Sequence, residues 1–238
     1  MARQGNGSNA YLMSDYTQGA PFTNYPYTVS FWHYRPSGLA TNAIFSYGNN
    51  SINQYYMIYN SGATLYVYMF GDQDQSVSGA VSGWNHCVWR GTSTTNRSIF
   101  LNGAENNTTV GRAIVDPPNR YGVLNSVQQS PPYPAGANEW CADLGIWDVS
   151  LSNEEISLLY NNRMCPLMIR SNSLVTYCPL NDGEGGARDL IGGRNLAESG
   201  TAVLTDNPPL LYKRRSFMTF TPGVSLSTYS SIFHGSVF

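Results

Sequence analysis

Ala142-Asp143-Leu144-Gly145-Ile146-Trp147-Asp148-Val149-Ser150-Leu151-Ser152-Asn153-Glu154-Glu155-Ile156 reads as a strand, a turn and the first turn of a capped helix. Strand character runs from Trp140 to Trp147, where apolar and β-forming residues dominate. Ser152 and Glu155 form a capping box: the hydroxyl accepts the backbone N–H of the third helical residue, and the carboxylate returns to the N–H of the cap. Leu151 before the cap and Ile156 inside it can close a hydrophobic staple. The helix is predicted over Asn153 to Asn161, with Ile156, Leu159 and Tyr160 on one face. That face is expected to cover one end of the molecule.

Away from this segment the dominant period is two. In Tyr27-Thr28-Val29-Ser30-Phe31-Trp32-His33-Tyr34 the side chains of Tyr27, Val29 and Phe31 share a face, and Pro36-Ser37-Gly38 ends the strand. Gln54 to Tyr59 and Thr64 to Phe70 read as a hairpin around Asn60-Ser61-Gly62. Trp84 to Arg90 and Arg97 to Asn102 form a second pair, joined by the polar loop Gly91 to Asn96 and followed by the turn Asn102-Gly103. Asp116-Pro117-Pro118-Asn119 and Gln129 to Gly136 read as loops, and Leu174 to Leu180 as a late strand before the Gly-rich stretch Asn181 to Ala187. Many short strands with one short capped helix predict an all-β sandwich. No repeat of 20–50 residues is visible, which disfavours a propeller or solenoid. The sandwich is expected over residues 1–211, with 212–238 as a C-terminal extension.

Charged residues are only 12 % of the chain, against about 25 % in ordinary soluble proteins, while 17 Tyr, 23 Gly and 13 Pro suit strands and turns. A net charge of −2, with Lys and Arg scattered except at Lys213, Arg214 and Arg215, argues against nucleic acid as a partner. No apolar run reaches the roughly 18–20 residues of a helical membrane span, and the first residues lack the apolar stretch of a signal peptide, so synthesis and folding in a cytoplasm are expected. Cys87, Cys141, Cys165 and Cys178 show no Cys-X-X-Cys spacing and are expected as buried free thiols.

Five segments in order resemble the laminin-G-like, concanavalin-A-like jelly-roll family over about residues 5–210: Gly7 to Leu12, Tyr27 to Trp32, Trp84-Asn85-His86, Arg97 to Gly103, and the run from Ala142 to Ile156. Leu174 to Asn181, Asp189 to Leu196 and Asp206-Asn207-Pro208-Pro209 are similar to the end of standalone members found in phage and environmental sequences. Cys87, Cys141 and Cys178 depart from the aliphatic or Trp residues usual in the family. The resemblance implies a non-enzymatic virion structural protein, made in the host cytoplasm. A capsid decoration or cement protein is the first expectation and a fibre or tail component the next, with the major capsid protein and further copies of the chain as partners. A carbohydrate-binding, lectin-like module is the alternative, with glycans as partners.

Glucanases of this architecture need paired carboxylates about 5–9 Å apart, and the family's Glu-X-Asp-X-X-Glu strand pattern is absent. On a regular strand Glu139 and Asp143 would share a face roughly 13 Å apart, too far for a hydrolytic pair. A Ser-His-Asp site has only His33, His86 and His234 to draw on, no Gly-X-Ser-X-Gly elbow occurs, and His86 reads as a strand residue with its ring hydrogen-bonded. Relatives often bind Ca2+; here Asp72 and Asp74, or Asp182 and Glu184, are the hard oxygen donors, each weighed against a solvated acidic turn. No other cofactor or metal is expected.

After Lys213, Arg214 and Arg215 the extension carries no charged residue, yet it contains Phe217, Phe220, Phe233 and Phe238 among other apolar side chains. A free tail avoids that composition. It is expected to dock, either on its own domain as an edge strand or as an assembly arm on a neighbouring subunit.

Overall fold

The computed structural model describes residues 2–6, 11–14, 18–36, 41–48, 55–69, 72–111, 120–124, 137–181, 187–199, 203–205 and 208. Its strands are β1 (Ala2–Asn6), β2 (Tyr11–Ser14), β3 (Tyr27–Arg35), β4 (Asn42–Gly48), β5 (Tyr55–Ser61), β6 (Thr64–Met69), β7 (Asp72–Ser78), β8 (Gly83–Ser93), β9 (Asn96–Leu101), β10 (Ala104–Thr108), β11 (Arg120–Val123), β12 (Ala137–Trp147), β13 (Leu174–Cys178), β14 (Leu196–Ser199) and β15 (Val203–Thr205), with the helix α1 (Asn153–Tyr160) after β12. They form two antiparallel sheets. The eight-stranded sheet runs β10-β9-β8-β3-β12-β1-β15 with β13 also on β12, and the seven-stranded sheet runs β14-β2-β11-β4-β5-β6-β7. The expected all-β sandwich is the fold observed.

Both predicted hairpins form, with turns tighter than the composition suggested. β5 and β6 pair through Ser61↔Thr64, so the reversal is Gly62-Ala63, with Gly62 at φ 56°. β8 continues through the expected polar loop and pairs Ser93 with Asn96, leaving only Thr94-Thr95 as the turn. At Gly91 a side chain is sterically barred, because a Cβ would lie 2.5 Å from the Tyr27 ring and 2.7 Å from that of Tyr25. Asn102-Gly103, at φ 50° and 80°, makes the two-residue reversal into β10 that favours Asn-Gly.

The inner faces meet over Val29 and Phe31 of β3, Ile44, Phe45 and Tyr47 of β4, Tyr56 and Ile58 of β5, Val67 of β6, and Trp89 of β8, all essentially sealed from solvent. Each such side chain contributes roughly 1.5–3 kcal/mol on leaving water. Polar clusters close the two ends of this core. Near Tyr27, Arg97 of β9 meets Asp74 of β7 at 2.7 Å, both side chains fully buried. Gln75 latches the sheets there, donating from β7 to the carbonyls of Arg97 at 2.9 Å and Asn106 at 3.0 Å. Toward the other end of β3, Glu139 accepts from Asn60 at 2.8 Å and Asn42 at 3.1 Å and lies 3.4 Å from His33.

β12 breaks its alternation at a bulge. Its register on β3 shifts between Ala142 and Gly145, with Asp143 at φ 58°. Cys141 and Leu144 both face the inner core, so Asp143 leaves the face of Glu139 and bonds instead to the Tyr177 hydroxyl on the outer side. The shared face expected of these two carboxylates is therefore corrected by one extra residue.

The capping box is present as predicted: the Ser152 hydroxyl accepts from Glu155 N–H at 3.3 Å, and Glu155 accepts from Ser152 N–H at 2.8 Å. Leu151, Ile156 and Leu159 pack on Val88, Phe100 and Trp147, outward residues of β8, β9 and β12. The helix thus lies on the outer face of the eight-stranded sheet, not over one end of the sandwich. Arg90 ties it down, donating to the Leu151 carbonyl at 3.0 Å and to Asn153 and Glu105, each at 2.6 Å.

Candidate functional site

Among the residues that alternate with the core on β3 are Trp32 and Tyr34, and the register sets Trp32 beside His86 and Ala142, and Tyr34 beside Trp84 and Trp140. An aromatic surface results on the outer face of the eight-stranded sheet. Tyr34 and Trp140 stack at 3.8 Å and 13°, and Trp84 meets both edge-on at 5.6 and 5.9 Å. The last residue of α1, Tyr160, lies 6.3 Å from Trp32 and parallel to His86 at 6.0 Å. Between α1 and the sheet this surface opens into a cleft of about 350 Å3, with Trp32, Trp84 and Tyr160 as its aromatic walls and the exposed Val81 at its rim. Aromatic faces beside polar groups are the usual make-up of a small-molecule site.

Three polar side chains complete the lining: Asn102, Asn161 and Arg163. Asn102 is held by two bonds, accepting from His86 N–H at 2.8 Å and donating to Asn85 at 2.9 Å. Asn161 caps α1 and donates to Ser157 at 2.8 Å. Arg163 is exposed and takes a left-handed backbone, φ 51°, where the chain leaves the helix and Met164 N–H returns to the Leu158 carbonyl. No carboxylate is among the lining residues. Beneath the cleft His86 is buried, its Nε2 2.9 Å from the Ser30 hydroxyl, as the strand reading expected. Burial lowers its pKa to about 3, so the ring is neutral and serves as a packing surface.

The residues singled out in the sequence for catalysis or metal binding do not converge. Asp74 belongs neither to a solvated turn nor to an open ligand set, since Arg97 engages both its oxygens, at 2.7 and 3.1 Å. The side chain of Asp72 lies outside the described residues, as do Asp182, Glu184 and His234. Among the described residues no group of three or more His, Cys, Asp or Glu side chains is placed to hold a metal ion. His33 and Glu139 are sealed between the sheets. Burial raises the Glu139 pKa, but the His33 contact and the amides of Asn60 and Asn42 outweigh it and hold the carboxyl below its ordinary range. Cys87, Cys141, Cys165 and Cys178 are free and buried. The expected assembly residues Lys213, Arg214, Arg215, Phe217, Phe220, Phe233 and Phe238 lie outside the described residues.

The cleft was not assigned from the sequence, although one signal points to it. Trp32, Tyr34 and Trp84 are large aromatic side chains on the strand face opposite the core. Such residues need a second covering layer or a ligand.

The fold recurs among solved proteins. A protein from Bacteroides ovatus ATCC 8483, provisionally described as carbohydrate binding, superposes with a TM-score of 0.61 at 16 % identity, over 87 % of this chain and 61 % of its own. A point mutant of the NanB sialidase of Streptococcus pneumoniae superposes with a TM-score of 0.53 at 15 % identity, over 66 % of this chain and 27 % of its own. In both cases the chain spans less than two thirds of the solved protein's length. No curated protein sequence matches. The profile of the concanavalin A-like lectin/glucanases superfamily, in its laminin-G form, matches residues 6–157. With that match over more than half its length, and with the two-sheet sandwich and capped helix in place, the chain belongs to the concanavalin A-like lectin/glucanases superfamily.

Proposed function

We propose that this protein is a non-catalytic carbohydrate-binding module that takes a sugar ring in the cleft between α1 and the eight-stranded sheet. The observation that carries this reading is the cleft itself, where Trp84 and Tyr160 offer ring faces and Asn102, Asn161 and Arg163 offer hydrogen bonds. Pyranose rings present an apolar C–H face and a polar hydroxyl rim, and an aromatic wall beside amides matches both. The Bacteroides ovatus protein, described as carbohydrate binding, supports the same reading. The buried and separately partnered carboxylates of Glu139 and Asp143 do not favour a glycosidase.

A glycan array probed with the purified protein tests it. Saturable binding of at least one oligosaccharide is expected, with a change in tryptophan fluorescence on binding. Trp84→Ala should weaken that binding at least tenfold while the far-ultraviolet circular dichroism is unchanged. Absence of saturable binding, or an unaffected Trp84→Ala variant, overturns the proposal. Capsid decoration, with the major capsid protein and further copies as partners in a virion, rests on residues 212–238 and the sequence resemblance alone. It stands second to glycan binding.

A further inference from the structure

We infer that the cleft selects a carboxylated sugar ring, a hexuronic or a sialic acid, through Arg163; this rests on the glycan-binding reading above. The cleft holds one cationic group and no anionic one. Two acidic groups on or beside α1 are already engaged, Glu105 with Arg90 at 2.6 Å and Glu155 with Arg170. Among the described residues Arg163 has no ion-pair partner. Its guanidinium is therefore available to a ligand.

The backbone supports the assignment. Arg163 sits at φ 51°, a region that favours Gly or Asn, two residues beyond the C-cap Asn161 of α1. A helix exit of this kind commonly carries Gly, which would cost nothing there, so the side chain is not required by the turn. Met164 N–H bonds to the Leu158 carbonyl and fixes the exit, so Arg163 is presented from a defined point beside Tyr160 and Asn161. A planar guanidinium engages a carboxylate through two parallel N–H donors. With the sugar ring against Trp84 and Tyr160, the second N–H of each Asn amide, beyond the one given to Asn85 or Ser157, remains for a hydroxyl group.

The test compares each acidic oligosaccharide with its own methyl ester, which keeps the ring and removes the charge. Trigalacturonic acid and sialyllactose serve as separate arms, each titrated calorimetrically with the full chain. At least one acid should bind about tenfold more tightly than its ester, and the preference should weaken with added salt. Arg163→Gly relieves the left-handed backbone and so keeps the fold; it should abolish the preference for the acid while retaining residual binding of the ester. Arg163→Lys should restore part of the preference. If acid and ester bind equally and both are lost in Trp84→Ala, the charge inference is overturned while glycan binding stands. If neutral array glycans bind and neither acid does, the inference is likewise overturned. If no glycan of any kind binds, the underlying reading fails with it.

Discussion

The Tyr177 hydroxyl donates to Asp143 Oδ1 at 2.6 Å, joining β13 to the bulge of β12 in a site sealed from solvent. The Cys165 thiol in turn donates to the Tyr177 oxygen at 3.2 Å. Burial is the dominant influence on the carboxyl and, against the lowering effect of the Tyr177 bond, pushes its pKa up to about 7.

The sign of the resulting pH dependence follows directly. A carboxyl whose pKa is raised in the folded state favours folding while protonated, below its unfolded value near 4, and that contribution is lost as pH rises to about 7. Asn in place of Asp143 keeps an acceptor for Tyr177, tolerates the left-handed backbone and cannot ionise. Asp143→Asn should therefore gain on the parent protein as pH rises from 4 to 7, by an amount on the order of 4 kcal/mol. Melting temperatures measured in parallel across that range check this; a constant difference between the two proteins would contradict it.

His86 predicts the opposite slope. Its depressed folded pKa, about 3, contributes stability that is present above the unfolded value of 6.5 and lost as pH falls. His86→Gln can still hydrogen-bond Ser30 and has no proton to gain. The variant should start less stable at pH 7 and converge on the parent as pH approaches 4. Parallel melting curves over that interval would show that His86 does not resist protonation.

The Arg97–Asp74 pair predicts a large cost for single substitutions and a small one for the double. Both side chains are wholly buried, so Arg97→Met alone leaves an uncompensated carboxylate and should lose about 3–5 kcal/mol. Asp74→Leu combined with Arg97→Met removes both charges and should recover most of that loss. Urea unfolding of the two single variants and the double variant measures the coupling. An additive double variant would mean the pair contributes nothing as a pair.

The four thiols should all be free and slow to react. Cys87, Cys141, Cys165 and Cys178 are buried, and burial raises the pKa of Cys87, Cys141 and Cys165, which suppresses the reactive thiolate. Alkylation of the denatured, unreduced protein should add four labels by mass, and the native protein should take up label only slowly. Two labels or none after denaturation would refute this.

What the chain specifies within a few residues was legible from the sequence: the capping box at Ser152 and Glu155, the Asn102-Gly103 reversal, the two hairpins and the alternation on β3. Each depends on local hydrogen bonding or on side-chain period, and both are written in consecutive residues. The placement of the helix was not, because Ile156 and Leu159 show only that one face is apolar, and any of several surfaces could cover it. The bulge at Asp143 escaped for a related reason: one added residue reverses every later side chain, and only pairing with β3 and β13 shows where it falls. Asp74 looked like a turn carboxylate until Arg97, 23 residues away, was brought to it across the sandwich. The cleft is the most tertiary feature of all. Trp32 comes from β3, Trp84 from β8, Tyr160 from α1 and Arg163 from the turn after it, and strand pairing and helix docking together bring them within reach of one ligand.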